Sequence, residues 1–463
     1  MNSIFLIALI LYLLIFITIS IIDTKSVKNF TDYAVAGRNR GLITVTMTLL
    51  ATVIGASTTI GLTDTVYSIG FPGIWWLAFG AIGLIFQSIF ISNKVRATGA
   101  DTLGDLARIT IGPSAEMIIS LIIVISWLGV IAGQLVAMNS LVAFATGRND
   151  KWLFVIISSV VIFYTLLGGQ SSVVKTDKLQ LIIIIAGVLI GCIYLYLVKG
   201  GDTASVADNI ELLNENYRPM NLLNQFFVIG GVYFLGPDII SRNFISKNES
   251  TAKKSAFIAG LCLFIFSIMI TLIGMWARYN ISPEELGESK TLMYIINIMP
   301  KLVSIPLIFG LLSAILSSTD TCLINASSIF AKDIIKKDSI AAVRITVAVI
   351  GTLALTLAVL GRGDIMTLLT GAYSVYTPGI IFPLLIAILC YKKYSIRKGL
   401  WLSAVILGGM FGVVGTYFGE WLGKMNLPAI VTENLSLIGM GISLVISVVS
   451  IKFSEKDSSF RSE

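Results

Sequence analysis

The chain has 463 residues, of which 56% are hydrophobic and only 13% are charged, with a formal net charge of +7. Soluble globular domains have about 45–50% apolar and about 25% charged residues, so this composition excludes an ordinary soluble domain and indicates a protein embedded in a lipid bilayer. The sequence contains no histidine, which excludes histidine-ligated metal sites and removes the commonest general base.

Thirteen segments are long and apolar enough to cross a bilayer, which takes about 20 residues of helix. In chain order, the predicted spans are residues 3–22, 42–69, 72–92, 116–146, 152–169, 174–198, 222–245, 254–278, 301–331, 340–360, 365–390, 399–419 and 434–453. We therefore expect an all-α polytopic membrane protein with about thirteen transmembrane helices.

The basic residues indicate an orientation. If residue 1 is outside, 24 of the 33 lysines and arginines, Arg242 among them, fall in cytoplasmic segments. Such a bias is typical of membrane topology and not of nucleic-acid binding. We expect a protein of the cytoplasmic membrane with its N-terminus outside and its C-terminus in the cytoplasm, and no nucleic-acid partner.

Two spans contain glycines and hydroxyl or proline residues at mid-membrane. The second span has Ala51-Thr-Val-Ile-Gly-Ala-Ser-Thr-Thr-Ile-Gly61, and the seventh has Gly230-Gly-Val-Tyr-Phe-Leu-Gly-Pro-Asp238. Each begins a set of five helices, and five is odd, so the two sets cross the membrane in opposite senses. Broken helices at matching places in inverted repeats are typical of a transporter binding site. Glycines that only let helices pack closely are the alternative.

The ninth span contains Leu312-Ser-Ala-Ile-Leu-Ser-Ser-Thr-Asp-Thr-Cys-Leu-Ile-Asn-Ala-Ser-Ser328, with hydroxyls on one helical face at Ser317, Ser318 and Thr321. A hard cation such as sodium prefers several oxygen ligands, which these hydroxyls and the carbonyls of a broken helix could supply. Serines that bond back to their own helix are the alternative.

Three carboxylates, Asp64, Asp238 and Asp320, fall inside predicted spans, where an ionisable group indicates a functional role. Asp64 and Asp320 could select a cationic or amino group, or could be structural acids that are salt-bridged or protonated. The sequence assigns none of the three a definite role.

Several motifs in order resemble the sodium:solute symporter family, which includes bacterial proline, sialic acid and sugar symporters. The resemblance extends from about Lys28 to Ala372. It rests on Tyr33-Ala-Val-Ala-Gly-Arg38, Ala51-Thr-Val-Ile54 with Gly61, Tyr67-Ser-Ile-Gly70, Gly168-Gly-Gln-Ser-Ser-Val-Val-Lys-Thr-Asp177 with Gln180, Tyr233-Phe-Leu-Gly-Pro-Asp-Ile-Ile-Ser-Arg242, and the serine-rich helix that ends in Ala331-Lys-Asp333.

The resemblance implies a LeuT-like core of 5+5 inverted repeats with a discontinuous first helix. The corresponding division is 1–41 for an extra helix and loop, 42–199 and 200–390 for the repeats, and 391–463 for two further helices and a short tail. It also implies a sodium site made by the carbonyls of Ala51, Ile54 and Ala314 and the hydroxyls of Ser317 and Ser318. Asp177 matches a family carboxylate on the ion-release path or at a second sodium site; a surface pairing with Lys175 or Lys178 is the alternative.

The solute is expected at mid-membrane, between the two breaks and the fourth span. The candidate lining residues are Ser57, Thr58, Gln87, Gln134, Asn139 and Tyr233, each of which could instead make an inter-helix hydrogen bond. Val53 replaces the acidic residue of proline symporters, and residues 127–144 lack the arginine of sialic acid transporters. Ser57 and Thr58 replace the amide and acid groups of sugar carriers, so none of these three substrates is supported by its own signature. An amino acid or a small organic acid is the default expectation.

Sodium-coupled symport by a functional monomer, with Na+ as coupling ion and no cofactor, is the leading hypothesis. A proton-coupled transporter with a titrating Asp177 or Asp320 is the second, and a transporter-like membrane sensor is the third. No nucleophile–base pair or metal cluster appears in the sequence, so we expect no enzymatic activity.

Overall fold

A computed structural model describes residues 2–25, 27–361, 364–423, 428–432 and 434–455. The helices are α1 (Asn2–Thr24), α2 (Phe30–Val35), α3 (Leu42–Val53), α4 (Leu62–Ile69), α5 (Trp75–Phe90), α6 (Ser92–Ala97), α7 (Leu103–Thr110), α8 (Pro113–Thr146), α9 (Lys151–Ile193), α10 (Thr203–Asp208), α11 (Pro219–Leu235), α12 (Pro237–Ile245), α13 (Glu249–Asn280), α14 (Pro283–Leu286), α15 (Thr291–Ile298), α16 (Lys301–Ile329), α17 (Ile340–Val359), α18 (Ile365–Cys390), α19 (Lys398–Tyr417), α20 (Gly419–Gly423), α21 (Ala429–Thr432) and α22 (Leu435–Val449).

Short 3-10 or π-helical segments extend or join several of these helices, at Ala36–Arg38, Ser57–Gly61, Phe71–Ile74, Tyr194–Lys199 and Phe330–Ile334. Two strands, β1 (Tyr394–Ile396) and β2 (Ile451–Glu455), pair antiparallel beyond the last helices. The end of the predicted tail, residues 456–463, lies outside the described residues.

Ten helices of the described chain are long and apolar enough to cross a membrane, or eleven when α3 and the segment Ser57–Ile69 form one bent span. This confirms a mostly helical polytopic membrane protein. The count is lower than thirteen for two reasons. The helical stretch Lys151–Lys199 has 49 residues and is counted once, and α22 has only 15 residues, fewer than a usual span.

The long helix α9 is kinked at Gly169, at the end of the fifth predicted span, 152–169. Gly169 has a φ of 61° inside the helix, a conformation that glycine adopts without a steric penalty. On its N-terminal side, Leu167 O accepts a hydrogen bond from Thr24 near the end of α1. On its C-terminal side, Ser172 is hydrogen-bonded to Ser20 and Lys175 pairs with Asp23. Both halves therefore pack against the same end of α1.

The second predicted span is broken at Ile54–Ala56. The backbone at Ile54 is extended (φ −90°, ψ 100°), and the two helical halves are bent by 64°. The Gly55 N–H, which would bind Ala51 O in an unbroken helix, instead meets Thr58 Oγ1 at 2.8 Å. The Ala56 N–H donates to Gln134 Oε1 of α8 at 3.1 Å. The break is thus stabilised by one local and one distant side chain.

The seventh predicted span is broken between α11 and α12. Gly236 is extended (φ −65°, ψ 144°), which suits a residue before proline, and Pro237 begins α12 without an N–H to donate. The carbonyls freed at the end of α11 find donors on other helices: Leu235 O accepts from the Tyr376 hydroxyl at 2.6 Å and Phe234 O accepts from Gln87 Nε2 at 3.2 Å. Both discontinuous helices predicted from the sequence are confirmed.

Helix α16 lies at the centre of the molecule. Every residue from Gly310 to Ile329 is buried, and the helix packs against α9, α8, α17 and the broken helix α3. Large apolar side chains such as Ile7, Ile125 and Ile182 are exposed on outer helices, as expected of surfaces that face lipid. The boundaries predicted between the repeats stay predictions.

Candidate functional site

The first break faces the serine-rich helix. Ser318 Oγ of α16 donates to Thr52 O at 2.8 Å, and Ile54 O lies at 3.4 Å from the same hydroxyl. This close approach requires glycine at position 55, because a Cβ atom there would lie 2.6 Å from Ser318 Oγ. The hydroxyl of Ser318 therefore reaches the carbonyls that the break frees and does not bond back to its own helix.

Other hydroxyls of α16 behave in the ordinary way. Thr319 donates to Ile315 O at 2.6 Å, and Ser313 donates to Phe309 O at 2.7 Å, both one turn back along the helix. The contrast separates Ser317 and Ser318, which donate to other helices, from Ser313 and Thr319. For these two serines, the alternative of hydrogen bonds within the helix is wrong.

The remaining predicted sodium ligands lie beside this contact. Ala51 is one turn before Ile54 on α3, and Ala314 is one turn before Ser318 on α16; both are fully buried. Since the Gly55 N–H binds Thr58, it is not the partner of the Ala51 carbonyl. Carbonyl and hydroxyl oxygens are suitable ligands for a hard cation.

Asp177 lies next to this cluster in a buried network. Its Oδ1 accepts from Ser317 Oγ at 2.6 Å, and its Oδ2 accepts from the Thr48 hydroxyl and, at 3.2 Å, from Arg242 Nη2. Lys175, one of the two surface partners considered for Asp177, pairs with Asp23 instead. The buried partner of Asp177 is an arginine from the second repeat.

Arg242 is the residue that the sequence placed wrongly. It was assigned to a cytoplasmic segment, but it is 0% exposed. Helix α12 continues the broken span inward and carries Arg242 toward α3 and α16, where its Nη2 donates to Thr52 at 2.5 Å and to Thr321 at 2.6 Å. The signal available in the sequence was its position four residues after Asp238 in a family motif.

A central cavity of about 20 Å3 lies between the two breaks. A cavity of this size holds about one water molecule, so an organic solute fits only after its walls move apart. Among the six predicted solute-site residues, Ser57, Gln134 and Tyr233 line this cavity. The Tyr233 hydroxyl also donates to Val53 O at 3.3 Å, across the first break.

The other three predicted solute-site residues do not line the central cavity. The Thr58 hydroxyl is used by the break, where it accepts from the Gly55 N–H. The Gln87 side-chain amide donates a hydrogen bond to Phe234 O at the end of α11. Asn139 lies further along α8 and is only partly buried. The part of Thr58, Gln87 and Asn139 in solute binding stays a prediction.

The acidic residues of the spans have different surroundings. Asp64 lies in the first turn of α4, where it accepts from the Thr291 N–H at 2.7 Å and pairs with Lys290 at 3.3 Å. Asp320 accepts from Tyr164 at 2.9 Å and from Thr165 at 2.6 Å. Asp238 lines the central cavity together with Cys322 and Tyr373. The sequence noted Asp238 as a buried acid but did not place it at the solute site.

A larger cavity of about 620 Å3 lies between the outer half of α11, α18 and the start of α22. Its wall includes Arg218, Asn221, Thr370 and Asn434, and it shares no residue with the wall of the central cavity. It contains none of the residues at the two breaks, so its size does not make it the better candidate for the solute site.

The chain is similar in sequence to known transporters. It is 26% identical over 412 residues to a high-affinity choline transporter of Drosophila melanogaster, an alignment that covers 81% of this chain and 64% of that protein. It is 23% identical to a sodium/proline symporter of Staphylococcus aureus, with 97% of this chain and 92% of the relative covered.

A solved structure of a substrate-bound, outward-open Na+-coupled sialic acid symporter has the same fold, with a TM-score of 0.75 at 16% identity, and covers 95% of this chain and 97% of that one. This similarity confirms the predicted LeuT-like fold class. The family model described as the sodium:solute symporter family matches residues 33–408. Because this match includes most of the chain and both broken helices, the protein belongs to the sodium:solute symporter family.

Proposed function

We propose that the protein is a sodium-coupled secondary active symporter that imports a small polar organic solute by alternating access. Membership of a family of transporters and similarity to Na+-coupled symporters support sodium-coupled symport of a small organic solute. The observation that carries the proposal is the contact between Ser318 and the carbonyls of Thr52 and Ile54 at the first break.

The proposed sodium site consists of the carbonyls of Ala51, Ile54 and Ala314 and the hydroxyls of Ser317 and Ser318. Its support is the convergence of a broken backbone and a hydroxyl face, which offers oxygen ligands without a full protein charge. Asp177 adds a negative charge one hydrogen bond away, through Ser317. We assign it to a second sodium site or to the path by which the ion leaves.

The proposed cycle uses the ion to set the conformation. Sodium that binds between α3 and α16 holds the two repeats in the outward-open arrangement, and solute binding then favours closure. An inside-negative potential assists each inward cation by about 2.3 kcal/mol per charge per 100 mV. Low sodium in the cytoplasm then lets ion and solute leave.

The proposed solute is an amino acid or a small organic acid, bound in the central cavity beside Ser57, Gln134 and Tyr233. The proposed setting is the cytoplasmic membrane, with the N-terminus outside and a functional monomer. The transport role requires no cofactor and no enzymatic step, only sodium, solute and bilayer.

Uptake into sealed proteoliposomes tests this proposal. Purified protein is reconstituted, and uptake of radiolabelled amino acids and organic acids is measured with an inward sodium gradient, with equal sodium on both sides, and with a proton gradient alone. We expect accumulation only with the sodium gradient. Equal rates with and without it would refute sodium coupling, and accumulation driven by protons alone would favour the proton-coupled alternative.

A further inference from the structure

The central cavity contains a carboxylate oxygen without a hydrogen-bond partner. Asp238 is the second residue of α12, directly after the extended Gly236 and Pro237. Among the described residues, its buried Oδ1 has no hydrogen-bond partner. Its Oδ2 accepts a weak hydrogen bond from the Cys322 thiol, with Sγ at 4.0 Å, and the backbone N–H groups of Asp238 and Ile239 lie near the carboxylate at the start of α12. Both side chains line the cavity between the two breaks.

The other acids of the spans have strong donors. Asp177 has Ser317 and Arg242, and Asp320 has Tyr164 and Thr165. Arg242 lies one turn after Asp238 on the same helix, yet in the described chain its ion pair is with Asp177. Asp238 therefore faces the cavity as a negative group that no positive side chain neutralises within ion-pair distance.

The rest of the wall is suited to a small cation. The rings of Tyr233 and Tyr373 line the same cavity, and an aromatic face attracts a cationic group. An unpaired carboxylate is costly in a water-poor interior unless it receives a hydrogen bond or an opposite charge. A ligand with a cationic N–H group supplies both at once.

We propose that Asp238 determines substrate specificity by binding the protonated amino group of the solute. The solute class is then small primary or secondary amines, including zwitterionic amino acids. Carboxylates that lack nitrogen are excluded, and so are quaternary ammonium compounds, which have no N–H to donate to Oδ1. This inference rests on the proposed function, since it assumes that the solute occupies the central cavity.

Thermal unfolding of the purified full-length protein tests the inference, because a true ligand stabilises the folded state. Each amine is compared with an analogue that differs from it only at the amino group. The pairs are alanine and propionate, proline and cyclopentanecarboxylate, and glycine and glycine betaine. Each is measured in sodium and in potassium. We expect at least one of the three amines to raise the melting temperature in sodium, and none of the three analogues to do so.

Variants separate the role of Asp238 from a general effect on folding. In Asp238→Asn, which keeps the size of the side chain, we expect the apparent affinity for the stabilising amine to fall about tenfold or more. Stabilisation by sodium alone should persist, and Asp238→Glu should recover part of the amine affinity. The matched control is Asp64→Asn, which removes a carboxylate that lies in the first turn of α4 and pairs with Lys290; its amine affinity should equal that of the wild type.

Three results would overturn the inference: a desamino or quaternary analogue that stabilises as well as its amine, an amine affinity unchanged in Asp238→Asn, or stabilisation by sodium but by none of the amines. Loss of the sodium effect itself in Asp238→Asn would also overturn it, since Asp238 would then be a sodium ligand. Failure of the proposed function is a separate result, in which sodium does not stabilise the wild-type protein at all.

Discussion

At the scale of single residues, the hydroxyls of α16 divide by where they donate. Ser317 and Ser318 reach Asp177 and Thr52 on other helices. We expect Ser317→Ala and Ser318→Ala each to raise the sodium concentration for half-maximal uptake by about tenfold, because one lost ligand costs about 1–2 kcal/mol. The measurement is initial uptake rate against sodium concentration in proteoliposomes.

The control for this prediction is Ser327→Ala on the same helix. The Ser327 hydroxyl is buried and has no hydrogen-bond partner among the described residues, so its removal should leave the sodium dependence unchanged. An unaltered sodium dependence in both the Ser317 and the Ser318 variant would argue strongly against the site.

The ion pair of Asp177 with Arg242 makes a second residue-scale prediction. Both side chains are fully buried, and removal of one partner of a buried pair costs about 3–5 kcal/mol because the other charge is left uncompensated. We expect Asp177→Asn to lower the melting temperature clearly. The double variant Asp177→Asn with Arg242→Gln should recover part of that loss, as measured in a thermal double-mutant cycle.

Additive losses in the double variant would show instead that the two charges do not interact. Sodium dependence is recorded in the same samples, because Arg242 also donates to Thr52 and Thr321 beside the proposed sodium site. The pair thus links ion binding to the position of α12.

Arg242 also shows a limit of hydropathy reasoning. Arg242 lies near the end of the predicted span 222–245, and its charge placed it among the cytoplasmic basic residues, because one sequence does not reveal a buried partner such as Asp177. Asp238 illustrates the same limit in another way: its place in a span was evident from the sequence, whereas its place on the cavity wall depends on the exact turn of α12 after Pro237.

At the scale of elements, Gly55 allows α16 to lie close enough to the first break for Ser318 to reach the freed carbonyls. A Cβ atom at Gly55 would lie 2.6 Å from Ser318 Oγ and 3.0 Å from Gln134 Nε2. We expect Gly55→Ala to push α16 away from the freed carbonyls, and so to weaken sodium binding at least as strongly as Ser318→Ala. Sodium-dependent uptake and sodium-dependent thermal stabilisation are the two measurements.

Gly441→Ala on α22 is the matched control, because no atom lies within 4 Å of a Cβ at that position. It makes the same chemical change in a transmembrane helix and should leave sodium dependence as in the wild type. Wild-type sodium binding in Gly55→Ala would contradict the role given to the close contact.

The positions of the two breaks could be predicted from glycine and proline at mid-span. The hydrogen bonds that stabilise the broken backbone could not. Thr58 is three residues from the Gly55 N–H and is a local partner. Gln134 reaches the Ala56 N–H from 78 residues away along the chain. Gln134 was expected near the solute for its polarity, and the structure adds that its carbonyl oxygen stabilises the broken backbone.

At the scale of the whole molecule, a polar network connects the segment before α3, helix α7 and the segment just after α16. Asp101 pairs with Arg38, before the inner half of the first broken helix, and with Lys332, just after α16, at 2.5 Å. Asp105 extends the network to Lys332 and Arg108. Burial by itself would raise the pKa of Asp105, but the charges of Lys332 and Arg108 outweigh it and hold this pKa below its usual value. The Asp105 carboxylate therefore stays ionised near neutral pH.

The fold and the coupling ion could be predicted from the sequence, whereas the solute could not, because the two depend on different kinds of pattern. Inverted repeats, matched breaks and a hydroxyl face occur along the chain as local patterns. The proposed solute site is assembled from α3, α8, α11, α12, α16 and α18, and residues such as Tyr373 and Cys322 have no distinguishing sequence context. Only the packing of both repeats brings them together.

The inner network makes a final prediction about the transport cycle. In the proposed cycle, ion release to the cytoplasm requires α3 to separate from α16, and Asp101 bridges Arg38, before α3, and Lys332, after α16. Asp101→Asn should therefore favour the inward-open state. The reporter is Cys322, which is buried and lines the central cavity, in a background with Cys192, Cys262 and Cys390 replaced by serine.

We expect a water-soluble maleimide to label Cys322 several-fold faster in Asp101→Asn than in the background protein, when added from the cytoplasmic side without sodium. Sodium should slow labelling in both, because it favours the outward-open state. Asp202→Asn, at an exposed helix cap outside the network, should label at the background rate. If Asp101→Asn labels no faster, this network does not hold the inner side closed.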